Sequence, residues 1–398
     1  MLELIIKKEQ IQKQIALIEN GNLVEYYEEN NELERKEGDI YIGIVKDIVK
    51  GMQAAFVDIG SEKNSFIHFK DVLPKVDEVK QDRKALEKGI TIENLLKPNQ
   101  KILVQVKKDS NDKKGARIST HINLPSKYIV LMPNTDIITI SQKIENKKEQ
   151  ERLISLVREN LTPGNGAIIR TSAEHKTQEV IEDIHHIEKK WNNILKISIN
   201  PKQNEPKLLY KSEDIVEKML IDLADKELKT IITNDKKEKE RLEELKKENK
   251  EYQKIEIILQ TQKDLLEQYH LEEQIEKMQN RKIWLKCGGF ITIDKTEALT
   301  AIDVNTGKYT GKNDVEQTIF IVNKEATIEV AKQLRLRDIG GIIIIDYIDM
   351  PDNEDKKKIE NLLKEELKKD RTKTQVEGFT KLDLMEMTRK HICSHKEG

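Results

Sequence analysis

Asp303 and Asn305 stand two positions apart at the end of the apolar run LTAI, and Asp346 ends a second apolar run at 342–345. If these runs are neighbouring strands, their ends bring three oxygen ligands together, and strand ends are where open α/β sheets place their sites. Mg²⁺ takes a few carboxylate and carbonyl oxygens and keeps several waters, so two Asp with one Asn suit an ion facing a phosphodiester. Such an ion activates water and stabilises a leaving oxygen. A lone D-x-N is more often a helix cap or a turn. Three oxygen ligands at strand ends weaken that plainer reading.

The elements that must position these residues form a βαβ pattern after Trp284. GGFITID and LTAIDVN read as strands, QTIFIVNKEATIEVAKQLRLRD as a long helix, and the continuously apolar GGIIIIDYID as a buried strand. Upstream, LELIIKKE and QIALIENGNLVEYYEE read as strands, with Asn20-Gly21 supplying the positive φ angles of a tight hairpin. From Gly38 to Leu124, short strands (YIGIVKDIV, AAFVDIG, NSFIHF, KILVQVKK) predict a small OB-type β-barrel. DVLPKVDEVKQDRKALEKGITIENLL is expected as its helical insert, and NDKKGARIST as its closing basic turn.

Between Pro125 and Pro206 the strands YIVLMP, DIITIS and AIIRTS alternate with two helical stretches, SQKIENKKEQERLISLVREN and TQEVIEDIHHIEKKWNNILKIS. The following segment, from PKLLY to KKEN, has helical spacing around the strand KTIIT and ends in a charge-dense helix with a solvated face.

A chain of 398 residues exceeds what one core usually supports, so roughly two to four subdomains are expected. With 37% apolar, 36% charged and 4% aromatic residues, it is neither a membrane nor a disordered composition, and Ile, Leu and Val must build the core. Lys plus Arg (70) balances Asp plus Glu (72), so affinity for nucleic acid must come from local basic surfaces. Cys287 and Cys393 lie far apart without a CxxC, which points away from a disulfide scaffold or zinc finger and towards a reducing cytoplasm. No run reaches the roughly 20 apolar residues of a membrane helix, and MLELIIKKEQ lacks a signal-peptide core.

TAIDVNTGKYTG, QLRLRDIGGIIIIDYIDM and DLMEMTRK closely resemble the catalytic part of the ribonuclease E/G family, and the likeness runs across essentially the whole chain. The resemblance implies an α/β multi-subdomain fold: an RNase H-like unit (1–37 and 207–280), an inserted S1 barrel (38–124), a 5′-sensor (125–206) and a DNase I-like catalytic subdomain (281–398). It implies Mg²⁺-dependent endonucleolytic cleavage of single-stranded RNA, such as mRNA or rRNA precursors. Asp303 and Asp346 take the positions of the magnesium-binding carboxylates, and Asn305 supports the first Asp or the attacking water.

GDIYIGIVKDIVKGMQAAFVDIGSEKNSFIHF looks like the S1 domain of that family, where exposed aromatics stack on bases and lysines follow the backbone. Phe56, Phe66, Lys108 and Lys114 are the matching residues. Phe56 is equally readable as a barrel core position, since AAFVD alternates. GNGAIIRTSAE resembles the family's 5′-monophosphate pocket, with Arg170 as a guanidinium fork and Thr171 as a hydroxyl donor.

Three departures qualify the match. The pocket's second basic residue falls on Lys373, which keeps charge but loses bidentate geometry. Gln142 stands where many relatives carry Arg. Where relatives typically continue into a zinc-binding Cys-Pro-x-Cys link that joins protomers, this sequence reads HICSHKEG, and Cys393 with His391 and His395 is a different pattern. A homodimer is compatible with the resemblance, whereas a zinc-linked one is not expected. The competing function classes are a non-catalytic S1-type RNA-binding or ribosome-associated adaptor and a DNA nuclease. The intact D-x-N with its distant Asp argues against the first, and an S1 barrel with a 5′-phosphate pocket argues against the second.

Overall fold

The computed structural model describes residues 2–30, 36–72, 91–110, 114–198, 205–223, 228–262, 264–307 and 315–392. Most of the expected barrel insert (73–90), the tip of the basic turn (111–113), Cys393 and His395 lie outside the described residues. The chain divides into two compact units, Met1–Leu33 with Ile215–Gly398, and Glu34–Asp214. The first unit opens with strands β1 (Leu2–Lys8), β2 (Gln12–Glu19) and β3 (Asn22–Asn30), joined as an antiparallel meander. Asn20 and Gly21 take φ of 50° and 81°, the left-handed turn expected of Asn-Gly.

In the unit Glu34–Asp214, β4 (Ile40–Val49), β5 (Ala54–Asp58), β6 (Ser65–His68), β7 (Lys101–Lys108) and β8 (Arg117–Ser119) close into a five-stranded OB-like barrel. Closure comes from β4 pairing with both β5 and β7 while β8 bridges β6 and β7. Val45, Ala55, Val57, Ile67, Val104 and Ile118 fill the interior. The barrel tolerates no side chain at Gly115, where a Cβ would stand 2.0 Å from the Asn64 carbonyl oxygen.

The same unit continues through β9 (Leu124–Pro125), β10 (Ile129–Pro133), β11 (Ile138–Ile140) and β12 (Asn165–Ile169), a four-stranded sheet ordered β11-β12-β10-β9. Its helices are Lys147–Asn160, capped by the Asn146 side chain, and Gln178–Ser198. They pack Leu153, Val157, Ile184 and Trp191 against Ile129, Leu131 and Ile169. β13 (Lys207–Tyr210) then pairs antiparallel with β4. This corrects the helical reading of PKLLY: Leu209 packs into this unit's core while Leu208 faces outward, an alternation too short to declare itself in sequence.

Returning to the first unit, β14 (Leu228–Thr233) and β15 (Glu256–Leu259) add in parallel to β1, giving the sheet β15-β14-β1-β2-β3. Leu4 and Ile6 face the helix Ile215–Leu223, whereas Ile5 faces Leu265, Leu266 and Leu271. Burial on both sides explains the unbroken apolar run of β1. A second sheet, β16 (Lys282–Trp284), β17 (Phe290–Lys295), β18 (Leu299–Asn305), β19 (Gly341–Asp346), β20 (Thr374–Phe379) and β21 (Leu384–Arg389), is ordered β16-β17-β18-β19-β21-β20.

The helices Val315–Leu336 and Asn353–Leu367 cover one face of this second sheet, meeting Ile291, Ile302, Val304, Ile343, Ile345 and Met385. Its other face is open: Ala301, Asp303, Asp346 and Glu386 are exposed, and Ile342 is 51% exposed. The apolar run of β19 therefore misleads, because the strand is covered on one side only. The expected parallel pairing of β18 with β19 is present.

Candidate active site

β18 and β19 run parallel in a register that sets Asp303 directly opposite Asp346. Val304 turns into the core between Asp303 and Asn305, so both polar side chains emerge on the open face. The Asn305 Nδ2 donates a hydrogen bond to Asp303 Oδ2, holding that carboxylate in place. Beyond Asn305 the chain turns through Gly307 at φ +60°, where a Cβ would meet the Gly288 carbonyl oxygen at 2.5 Å. The three residues read from sequence as one site are thus brought to one edge of one face.

Partial burial, then the neighbouring charges of Asp303 and Asp349, push the Asp346 carboxyl above its ordinary range. Two anions facing each other repel, and a cation between them removes the conflict. Among the described residues, no group of three or more His, Cys, Asp or Glu forms a closed metal cage. Two carboxylates and an amide are hard oxygen donors that leave room for waters and substrate oxygens, so they fit Mg²⁺ better than zinc.

On the barrel, Phe56 pairs in register with Phe66, Phe66 with Arg117, and Arg117 with Lys108. The two rings meet edge to face, 6.1 Å between centroids at 68°. Both are half-buried and stand outside the barrel interior, where Ala55 and Val57 are fully buried. The core reading of Phe56 is therefore set aside. Lys108 and Lys114 are exposed.

In the sequence ARIST reads as part of a closing turn, which conceals Arg117. It lies outward between Phe66 and Lys108 and holds Asp71 through its Nη2 at 2.9 Å. Period-two alternation around the buried Ala116 and Ile118 is the signal that identifies it. Nearby, burial and the charge of Lys107 hold His121 below its ordinary pKa.

Arg170 and Thr171 follow β12 directly. The Arg170 Nη1 donates to the Ser126 carbonyl at 2.7 Å, and the Thr171 hydroxyl lies 3.0 Å from that of Ser141. The Ser126–Ile129 turn that Arg170 contacts is held by the half-buried Asp183, which accepts from Ser126 Oγ and from the Tyr128 and Ile129 amides. Gln142 is exposed beside Ser141. Lys373 belongs to the other unit, exposed on the turn ahead of β20, where its carbonyl accepts from the Lys390 amide.

The motif strings also contain residues whose work is structural. Arg389 of DLMEMTRK is buried and donates to Asp370 at 2.7 Å and to Asp338 of QLRLRD at 2.8 Å. It ties the end of β21 to the turn ahead of β19. Arg371 is likewise buried, held by Glu25 at 2.9 Å and Asp222 at 3.1 Å. The ring of His391 lies on the Asp338 carbonyl, with Nδ1 at 3.0 Å.

Residues 123–392 match the family model described as the ribonuclease E/G family. Ribonuclease G of Escherichia coli (strain K12) is 37% identical over 391 residues, covering 98% of this chain and 79% of that protein. Ribonuclease G of Haemophilus influenzae is 36% identical over 395 residues, with the same coverage of 98% and 79%. Ribonuclease E of Nostoc sp. is 33% identical over 391 residues, covering 95% of this chain and 56% of that protein. A site of paired carboxylates at parallel strand ends, a closed OB-like barrel and likeness along 98% of this chain to ribonuclease G agree: this chain belongs to the ribonuclease E/G family.

Proposed function

We propose that this protein is an endoribonuclease of RNA processing or decay, cutting single-stranded and preferentially 5′-monophosphorylated RNA by Mg²⁺-dependent hydrolysis. The observation that supports this most is the register that faces Asp303 with Asp346 on the open side of the sheet. In this reading the sheet β16 to β21 is the DNase I-like catalytic subdomain (281–398). The barrel (38–124) is the S1 domain, 125–206 the 5′-sensor, and 1–37 with 207–280 the RNase H-like scaffold.

Asp303 and Asp346 would hold Mg²⁺, which when bound lowers the pKa of water and neutralises charge on phosphate oxygens. Asn305 orients Asp303 through its amide. Water attacks phosphorus in line, the bond to the 3′ oxygen breaks, and that oxygen leaves with a proton, giving 3′-hydroxyl and 5′-phosphate ends. The Phe56, Phe66, Arg117 and Lys108 row keeps the substrate single-stranded by stacking bases and following phosphates. Arg170 and Thr171 take the 5′-phosphate; Lys373, in the other unit, is the residue that matches the family's further basic position by sequence.

The test is cleavage of one AU-rich RNA carrying a 5′-monophosphate or a 5′-triphosphate, with Mg²⁺ and then with EDTA. Internal cuts that vanish with EDTA and favour the monophosphate are expected, and Arg170→Ala should erase only that preference. Tight binding without cuts would favour the adaptor reading, and equal loss on both RNAs would remove Arg170 from the pocket.

A further inference from the structure

The open face of the catalytic sheet carries a second feature beside the carboxylates. In the register of β16 with β17, Trp284 faces Phe290 and Lys282 faces Thr292. In that of β17 with β18, Phe290 faces Asn305 and Thr292 faces Asp303. Trp284, Phe290 and Asn305 therefore form one row, and Lys282, Thr292, Asp303 and Asp346 the next. Strands lie about 4.8 Å apart, so Trp284 stands roughly 10 Å from β18.

Trp284 is 59% exposed, while its neighbour Leu285 is buried in the core and Ile283 packs against it. The indole thus has no part in the fold's interior. It meets Phe290 edge to face at 5.3 Å and 63°. The Lys282 Nζ lies 3.6 Å from the Phe290 centroid and 4.1 Å from that of Trp284. Lys282 has no carboxylate partner among the described residues, whereas Arg281 is engaged by Asp294. With exposed Lys286, these residues make a small cationic, aromatic corner on a face otherwise marked by acids.

Resting on the assignment of Asp303 and Asp346 as the hydrolytic centre, we propose that Trp284 and Phe290 form a base platform for a nucleotide flanking the cleaved phosphodiester, with Lys282 on its backbone. A flat indole beside a cation matches a nucleobase and its phosphate, since stacking accepts any base and the lysine offsets the anion. The corner is too small and too charged for an extended apolar interface. A base held here tethers the strand beside the carboxylates, and any base is accepted with only a modest preference for those that stack most strongly.

The experiment compares wild type, Trp284→Ala and Trp284→Phe on a single-site RNA, intact or made abasic at each nucleotide around the cut. Trp284→Ala should raise KM roughly 10-fold, within the range for one stacked base, with the loss on KM rather than kcat. Trp284→Phe should recover most of it. An abasic nucleotide at one flanking position should weaken wild type by a similar factor and leave Trp284→Ala insensitive. Equal penalties for the alanine variant on intact and abasic RNA, or no penalty at all, overturn the platform. So does a change in sedimentation without a change in RNA affinity, which would make the corner a contact between copies. If the alanine variant fails to fold, the abasic series on wild type and Trp284→Phe still decides. Asp303→Asn in parallel separates the two claims: undiminished cutting by that variant removes the hydrolytic centre, whereas a flat abasic profile with an inactive Asp303→Asn removes the platform alone.

Discussion

The barrel and the sheet β16 to β21 are built by one rule and reach opposite chemistry. In each, strands bury every second residue and line up the alternate residues as rows on an outer face. The barrel row, Phe56, Phe66, Arg117 and Lys108, collects rings and cations. The sheet row, Lys282, Thr292, Asp303 and Asp346, sets two anions face to face. The first arrangement is comfortable by itself, since the rings shelter each other and Asp71 partners Arg117. The second is not, because Asp303 helps push up the carboxyl of Asp346. Under the proposed function the contrast has a reason: a surface that only binds can be electrostatically satisfied beforehand, whereas a centre built to take a cation is left in conflict.

The sharpest break of this contrast is to remove one anion. Asp303→Asn or Asp346→Asn should lower single-turnover cleavage by roughly 10³-fold or more, the loss of several kcal/mol of charge stabilisation in the transition state. RNA affinity should hold or tighten, because a negative charge beside the phosphate is gone. Both side chains are exposed at strand ends, so the fold should survive, which thermal unfolding checks. Cutting at wild-type rate by either variant would reduce the facing carboxylates to ordinary strand-end acids.

How much of this was legible beforehand follows from what each feature depends on. D-x-N and the distant Asp were visible because apolar runs mark strands, and a right-handed crossover makes sequential strands neighbours. The barrel was visible from its turns. The open face was hidden, because GIIIID reads the same whether a helix covers one side or two. Alternation around Ala116 and Ile118 shows that Arg117 faces outward, but its meaning and that of Trp284 come from register, Arg117 opposite Phe66 and Trp284 opposite Phe290, and pairing between strands is absent from local pattern. Arg389 and Asp338 were visible as motif residues, but their burial as an ion pair, a structural duty, was not.

A smaller effect tests the barrel half of the contrast. Phe66→Ala should weaken binding of single-stranded RNA by about 1–3 kcal/mol, a loss of roughly 5- to 150-fold. Cleavage at saturating RNA should stay near wild type if, as proposed, the ring serves binding rather than bond breaking. Fluorescence anisotropy on a short RNA, paired with single-turnover rates at saturation, makes the measurement. A fall in the saturated rate with unchanged affinity would reverse the roles assigned to the two rows.

The smallest expected effect separates two cations in the barrel row. Lys108 is exposed, and Lys108→Ala should lower the salt slope of RNA binding by about 0.7, the value for one phosphate contact on a single strand. Arg117 is already paired with Asp71 at 2.9 Å, so its charge is partly spent before RNA arrives. Arg117→Ala strips the cover from Asp71 and leaves a negative charge beside the bound strand. Its affinity loss should therefore exceed that of Lys108→Ala at low salt, and adding Asp71→Asn should recover part of it. Titrations at several salt concentrations read both. Equal slopes and no recovery with Asp71→Asn would mean that Arg117 meets phosphate as a simple point charge, and that the ion pair does not temper the barrel surface.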